Sequence, residues 1–83
     1  MSSVNDRILL VEDDVKLGDQ IVRHLEKQGF DVTWLQDGDA ALEEDPEHYR
    51  LVVLDLMLPG TYGMDVLKAY RSTHDVPVLS LSA

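Results

Sequence analysis

Carboxylates follow two strongly apolar segments of this chain, and their type and spacing suit metal or phosphate chemistry. Glu12, Asp13 and Asp14 come directly after the segment 7–11 (RILLV), and Asp55 ends the segment 51–55 (LVVLD). Carboxylates that cluster repel one another, which raises at least one pKa unless a cation is present. Mg²⁺ is a hard cation that prefers oxygen ligands, few protein carboxylates and several waters. Glu12, Asp13 and Asp55 therefore predict a Mg²⁺ site, provided that the fold brings them together, whereas Asp14 is interpreted as a helix cap or an outer acid.

The elements that must position these acids alternate along the chain. Short apolar or β-branched segments are typical of buried strands, and apolar residues four apart, such as Leu17, Ile21 and Leu25, indicate a helix. Asp13 or Asp14 is expected to cap that helix, and Gly29 to end it. The sequence predicts strands at 7–11, 30–35, 51–55 and 76–81, and further helices at 40–44 and 63–72.

Alternation in the order β-α-β-α-β-α-β predicts an α/β fold, a doubly wound parallel sheet with right-handed crossovers and helices on both faces. Ligands of such sheets bind outside the carboxyl ends of the strands, where the strand order reverses. We therefore expect the first and third strands to be neighbours, so that Glu12, Asp13 and Asp55 converge. An ionised aspartate there needs no general base to accept a phosphoryl group.

Composition restricts the class of protein. The chain has 83 residues, no cysteine, 16 acidic and 7 basic side chains, and a formal net charge of −9. Disulfides and cysteine metal sites are excluded, and the negative charge argues against binding of nucleic acid or an anionic membrane by this segment itself. No stretch approaches the roughly 20 apolar residues of a membrane span, and the first residues do not resemble a secretory signal. We expect a soluble, cytoplasmic domain or part of one.

The chain resembles the receiver domain of two-component response regulators over essentially its whole length. The matching segments are 10–14 (LVEDD), 53–60 (VLDLMLPG) with Gly63 beyond, and 77–83 (PVLSLSA). The first two segments look most like the winged-helix transcription-factor subfamily. The resemblance implies the flavodoxin-like receiver fold, a sensor histidine kinase as partner, and DNA as a partner of the full-length parent. It implies a signalling module rather than an enzyme.

The resemblance also implies a role for each matching residue. Asp55 matches the aspartate that accepts phosphate from a phosphohistidine. Asp13 matches the direct Mg²⁺ ligand, Glu12 the partner that usually binds the ion through water, and Met57 the residue that lends its backbone carbonyl. Ser82 matches the switch hydroxyl that turns toward the new phosphoryl group.

Family members continue through a fifth strand with an invariant lysine and an aromatic switch residue, which residues 1–83 do not include. We therefore expect the N-terminal part of a receiver domain, without the fifth strand and the last helices. The predicted strand from Val76 to Leu81 would then lie at a sheet edge, where an apolar face favours self-association.

Two other functions stay open. A phosphohydrolase of the haloacid dehalogenase type also uses a strand-end aspartate and Mg²⁺, but it requires a second acid at position 57, which is Met. An unphosphorylated pseudo-receiver that acts as a binding module is the other alternative.

The remaining polar and aromatic candidates have structural interpretations. The three histidines, His24, His48 and His74, follow no metal-ligand spacing and are expected at the surface. Trp34 and Phe30 are expected to pack rather than to bind a ligand. Pro59 and Gly60 are interpreted as a turn rather than as a phosphate-binding loop.

Overall fold

A computed structural model describes residues 4–58 and 62–81 of the chain. Its strands and helices alternate as predicted, with one short 3₁₀ turn before the first strand and another before the third. The elements are a 3₁₀ turn at Val4–Asp6, β1 at Arg7–Val11, α1 at Val15–Lys27, β2 at Asp31–Leu35, α2 at Gly38–Glu43, a 3₁₀ turn at Pro46–His48, β3 at Leu51–Asp55, α3 at Gly63–Thr73 and β4 at Val78–Leu81.

The four described strands form one parallel sheet in the order β2-β1-β3-β4. From β1 the chain proceeds outward to β2, and from β3 it proceeds in the opposite direction to β4. The strand order therefore reverses between β1 and β3, which confirms the prediction that these strands are neighbours. Leu10 of β1 lies between Trp34 of β2 and Val53 of β3 in this register.

Helices cover both faces of the sheet. Because successive side chains of a strand point to opposite faces, β1 and β3 need apolar residues at nearly every position. On one face Leu9, Val11, Val52 and Leu54 pack with residues of α2 and α3, and on the other Ile8, Leu10 and Val53 pack with residues of α1. Because both faces of β1 and β3 are covered by helices, both central strands are uninterrupted apolar segments. The two layers of helices confirm the doubly wound architecture.

Hydrogen bonds at the two ends of α1 explain where this helix begins and why β2 begins at a later residue than predicted. The Asp14 side chain accepts from the Leu17 amide at 3.1 Å and caps α1. The Phe30 amide donates to the Leu25 carbonyl at 3.1 Å, so this residue belongs to the turn that follows α1, and β2 begins one position later than predicted. Gly29 between them has a φ of 95°, the left-handed conformation that favours glycine after a helix.

Strand β4 lies at the edge of the sheet and begins at Val78 rather than at the predicted Val76. The Pro77 carbonyl still accepts from the Val52 amide at 3.0 Å, but proline has no N–H to donate to the ladder. Leu79 shares the α1 face with Val53 and is 56% exposed. In the described part of the chain, no helix has the length and apolar character needed to cross a membrane.

Candidate acidic site at the carboxyl edge of the sheet

The carboxyl ends of β1 and β3 bring three predicted acids together. Glu12 and Asp13 follow β1, and Asp55 is the last residue of β3. One carboxylate oxygen from each of these three residues lies within 4.8 Å of the other two. The predicted convergence of the acids is therefore present in the structure. They line a cleft of about 340 Å³ with Asp14, Leu17, Met57 and Leu81.

Glu12 is the buried member of the group, with 2% of its surface exposed. Its Oε2 accepts a hydrogen bond from the Asp14 amide at 3.3 Å, which directs the carboxyl group back toward the start of α1. Burial raises the pKa of Glu12 to about 7, and the neighbouring Asp55 carboxylate acts in the same direction. A cation beside Glu12 would favour the ionised carboxylate and would therefore oppose this rise in pKa.

Asp55 is half-buried, and its position depends on the loop that follows β3. The Met57 amide donates to Asp55 Oδ1 at 2.9 Å and fixes the orientation of the carboxylate. Gly63, the first residue of α3, lies against the backbone of Asp55 and Leu56 so closely that a β-carbon there would overlap both. Glycine at this position therefore allows α3 to begin beside the predicted phosphoacceptor.

Asp14 and Met57 also line the cleft, whereas Ser82 lies outside the described residues. Asp14 lines the cleft, but its Oδ1 caps α1, which matches its predicted role as a helix cap. Met57 also lines the cleft with its side chain 65% exposed. Ser82 lies outside the described residues, as do Pro59 and Gly60, so their predicted roles stay predictions.

A second group of possible metal ligands lies at the amino ends of the strands, opposite the acidic cleft. Asp45, Glu47 and His74 precede β3 and β4, and each offers one ligand atom within 4.8 Å of the others. His74 Nδ1 lies 3.6 Å from Glu47 Oε2, and this buried nitrogen has no hydrogen-bond partner among residues 4–58 and 62–81. The expectation that all three histidines lie at the surface is wrong for His74, whose side chain is only 24% exposed. This group has no signature in the sequence, because His74 is distant in the chain from Asp45 and Glu47 and meets them only through the fold.

Trp34 makes a contact that the sequence argument did not anticipate. It packs against the core, as predicted, on the α1 face of the sheet, but its indole Nε1 also donates to the Glu12 carbonyl at 2.9 Å. A buried tryptophan requires an acceptor for its N–H, so a partner of some kind was foreseeable. Which carbonyl accepts depends on the register of β1 and β2.

The fold and the acidic site define a known class of protein. The family profile described as "Response regulator receiver domain" matches residues 8–83. This chain belongs to the response regulator receiver family, as the motifs indicate.

The most informative relatives are transcriptional regulators of the OmpR family, the winged-helix subfamily expected from the motifs. The chain is 44% identical over 78 residues to the transcriptional activator protein IrlR of Burkholderia pseudomallei. It is 42% identical over 78 residues to the transcriptional regulatory protein CpxR of Escherichia coli. These alignments cover 93% and 94% of this chain but only 34% of each relative. The chain therefore spans about a third of the length of these curated relatives.

Solved receiver domains have the same fold. The BeF3-activated receiver domain of Klebsiella pneumoniae RstA aligns with a TM-score of 0.86 and 38% identity over 92% of this chain and 66% of that domain. The non-phosphorylated receiver domain of Leptospira biflexa HemR aligns with a TM-score of 0.82 and 38% identity over 95% of this chain and 65% of that domain. These similarities support the predicted flavodoxin-like receiver fold.

Proposed function

We propose that this chain is a phosphoacceptor module in which Asp55 accepts a phosphoryl group from a sensor histidine kinase with the assistance of Mg²⁺. The observation that carries the proposal is the convergence of the Glu12, Asp13 and Asp55 carboxylates within 4.8 Å, where the strand order reverses. Open α/β sheets bind their ligands at this position.

The donor set fits a hard divalent cation. All three side chains offer oxygen ligands, and they leave an open cleft in which water and a phosphoryl group have space. In our proposal Asp13, Asp55 and the backbone carbonyl of Met57 would hold Mg²⁺ directly, and Glu12 would hold it through water. When bound, the ion would neutralise negative charge on the phosphoryl oxygens.

Asp55 has the chemistry of the acceptor. An ionised carboxylate is already a nucleophile near neutral pH, so the transfer requires alignment rather than a general base. A bond forms between a carboxylate oxygen of Asp55 and phosphorus, while the bond between phosphorus and the kinase imidazole nitrogen breaks. The Met57 amide, which holds Oδ1 at 2.9 Å, supports this role because it restricts rotation of the carboxylate.

The response to phosphorylation extends beyond the acidic site. We propose that Ser82 acts as the switch hydroxyl and that residues 1–83 are the N-terminal part of a receiver domain. Regulation of transcription through DNA binding by the longer parent is also part of the proposal, because the curated relatives are transcriptional regulators of greater length. Action in the cytoplasm, where the kinase domain would meet the receiver, stays a prediction.

The alternative functions have less support. A haloacid dehalogenase-type phosphohydrolase requires an acid at position 57, where this chain has Met. The family and the curated relatives are regulators rather than hydrolases. An unphosphorylated pseudo-receiver would not need all three acids, which this chain retains at short mutual distances.

Labelling by a radioactive small-molecule phosphodonor tests the proposal in the full chain. Asp55→Asn should abolish labelling, and removal of Mg²⁺ with a chelator should abolish it in the wild-type protein. Asp31→Asn is the matched control, because Asp31 is exposed at the first position of β2, at the opposite edge of the sheet. Undiminished labelling of Asp55→Asn would overturn the assignment of the acceptor.

A further inference from the structure

The turn between β1 and α1, residues 12–14, carries two of the three converging acids and is held by the end of β2. The Glu12 amide donates to the Leu35 carbonyl at 3.0 Å. The Glu12 carbonyl accepts from Trp34 Nε1 at 2.9 Å. Neighbouring residues of β2 thus bind both backbone polar groups of Glu12, immediately before Asp13.

The position of the Trp34 ring depends on a glycine in α1. A β-carbon on Gly18 would overlap the six-membered ring of Trp34, so only glycine allows the ring to lie this close to the helix. Glycine inside a helix costs about 1 kcal/mol relative to alanine, which the close packing offsets. Gly18 lies in the first turn of α1, where its amide donates to the Asp14 carbonyl at 2.8 Å, so the ring that packs on Gly18 lies beside this turn.

We propose that Trp34 is a positioning residue for the cation site, because its indole N–H fixes the Glu12 carbonyl and thereby the direction in which the following Asp13 carboxylate points. The inference rests on the proposed function. The three carboxylates repel one another, so an unrestrained turn would separate them before a cation binds. A hydrogen bond from outside the turn reduces that freedom, and a site held near its bound geometry loses less free energy on binding.

The donor can be removed while the shape of the ring is kept. An isostere of tryptophan in which sulfur replaces the indole N–H fills the same space beside Gly18 and cannot donate to the Glu12 carbonyl. Trp34→Phe is the simpler variant, which also lacks the donor. A neutral hydrogen bond contributes about 0.5–1.5 kcal/mol, so we expect the Mg²⁺ concentration at half-saturation to rise about fivefold in both variants.

Val32→Ala is the matched control. Val32 lies on the same strand and the same face as Trp34 and packs against α1, so its truncation weakens the same layer of the core. We expect this variant to unfold at lower denaturant concentration but to bind Mg²⁺ with unchanged half-saturation. A purely structural role of Trp34 would instead make Trp34→Phe behave like Val32→Ala, less stable but with unchanged half-saturation, and would leave the isostere like wild type in both measurements.

The experiment is a Mg²⁺ titration of the full chain followed by amide and indole NMR signals. In the wild-type protein the indole N–H signal of Trp34 should shift with the same midpoint as the amide signals of residues 12–14. This wild-type signal decides the question if Trp34→Phe fails to fold. An indole signal that does not move, or an isostere that binds Mg²⁺ as tightly as wild type, overturns the inference but not the proposed function. A wild-type chain that binds no Mg²⁺ overturns the proposed function and the inference with it.

Discussion

Val11 of β1 pairs with Leu54 of β3, so the residues that follow them in the chain, Glu12 and Asp55, lie at the same level at the carboxyl ends of the strands. This register explains why the neighbouring Asp55 carboxylate adds to the effect of burial in raising the pKa of Glu12. A slip of one residue between β1 and β3 would direct the apolar residues of one strand to the wrong faces, so the two apolar layers also fix the acidic site.

The raised pKa of Glu12 predicts a pH dependence of folding in the absence of divalent cations. A folded-state pKa of about 7, against an ordinary value of 4.5, favours the protonated form in the fold. The stability that this proton contributes is fully present below about pH 4.5 and is lost as the pH rises through about 7. Glu12→Gln should therefore be more stable than wild type at pH 8, by up to about 3 kcal/mol, since a pKa change of one corresponds to about 1.4 kcal/mol.

Urea unfolding between pH 4 and 8 measures this difference. The gap between Glu12→Gln and wild type should widen as the pH rises. Glu43→Gln removes an exposed acid on α2 and should leave the shape of the pH profile unchanged. Parallel profiles for Glu12→Gln and wild type would contradict the prediction.

Addition of Mg²⁺ should stabilise the folded chain, because the cation binds converged carboxylates that the unfolded chain lacks. At a concentration one hundred times the dissociation constant, the free energy of unfolding should rise by about 2.7 kcal/mol. Asp13→Ala should lose this response. Asp14→Asn keeps a side chain that can cap α1, so it should retain the response. Thermal unfolding of both variants with and without Mg²⁺ therefore distinguishes a metal ligand, Asp13, from a helix cap, Asp14. An equal Mg²⁺ response in Asp13→Ala would count against the ligand assignment.

Gly63→Ala should lower both stability and the rate of phosphorylation. The new β-carbon would overlap the Asp55 carbonyl and the Leu56 backbone, which cannot move aside as a flexible side chain can. Overpacking of this kind costs about 1–3 kcal/mol and would displace the acceptor from its place beside Glu12. Urea unfolding and phosphodonor labelling measure the two effects. Met64→Ala, which truncates an exposed neighbour on α3, should change neither, and wild-type labelling by Gly63→Ala would refute the argument.

The sequence was sufficient to predict most of the acidic site because two general rules apply to it. Apolar segments without polar alternation identify β1 and β3 as central strands, and the reversal of strand order between them brings Glu12 and Asp55 together. No pattern in the sequence could show that Trp34 donates to Glu12 or that His74 lies beside Glu47. Those contacts depend on strand register and on how closely helices approach, and neither is encoded by periodicity.

The exposed edge strand should make the 83-residue chain self-associate. Leu79 of β4 is 56% exposed on the α1 face, and the outer side of β4 has no neighbouring strand among the described residues. Unpaired edges and exposed apolar side chains favour pairing with another chain, and a lysine at an edge opposes it. Leu79→Lys should therefore shift sedimentation toward the monomer and change the free energy of unfolding by no more than about 0.5 kcal/mol. Leu42→Lys adds the same charge at an exposed position on α2, away from β4, and should leave the association unchanged. Equal effects of the two variants, or a wild-type chain that stays monomeric as its concentration rises, would show that β4 is not the surface of association.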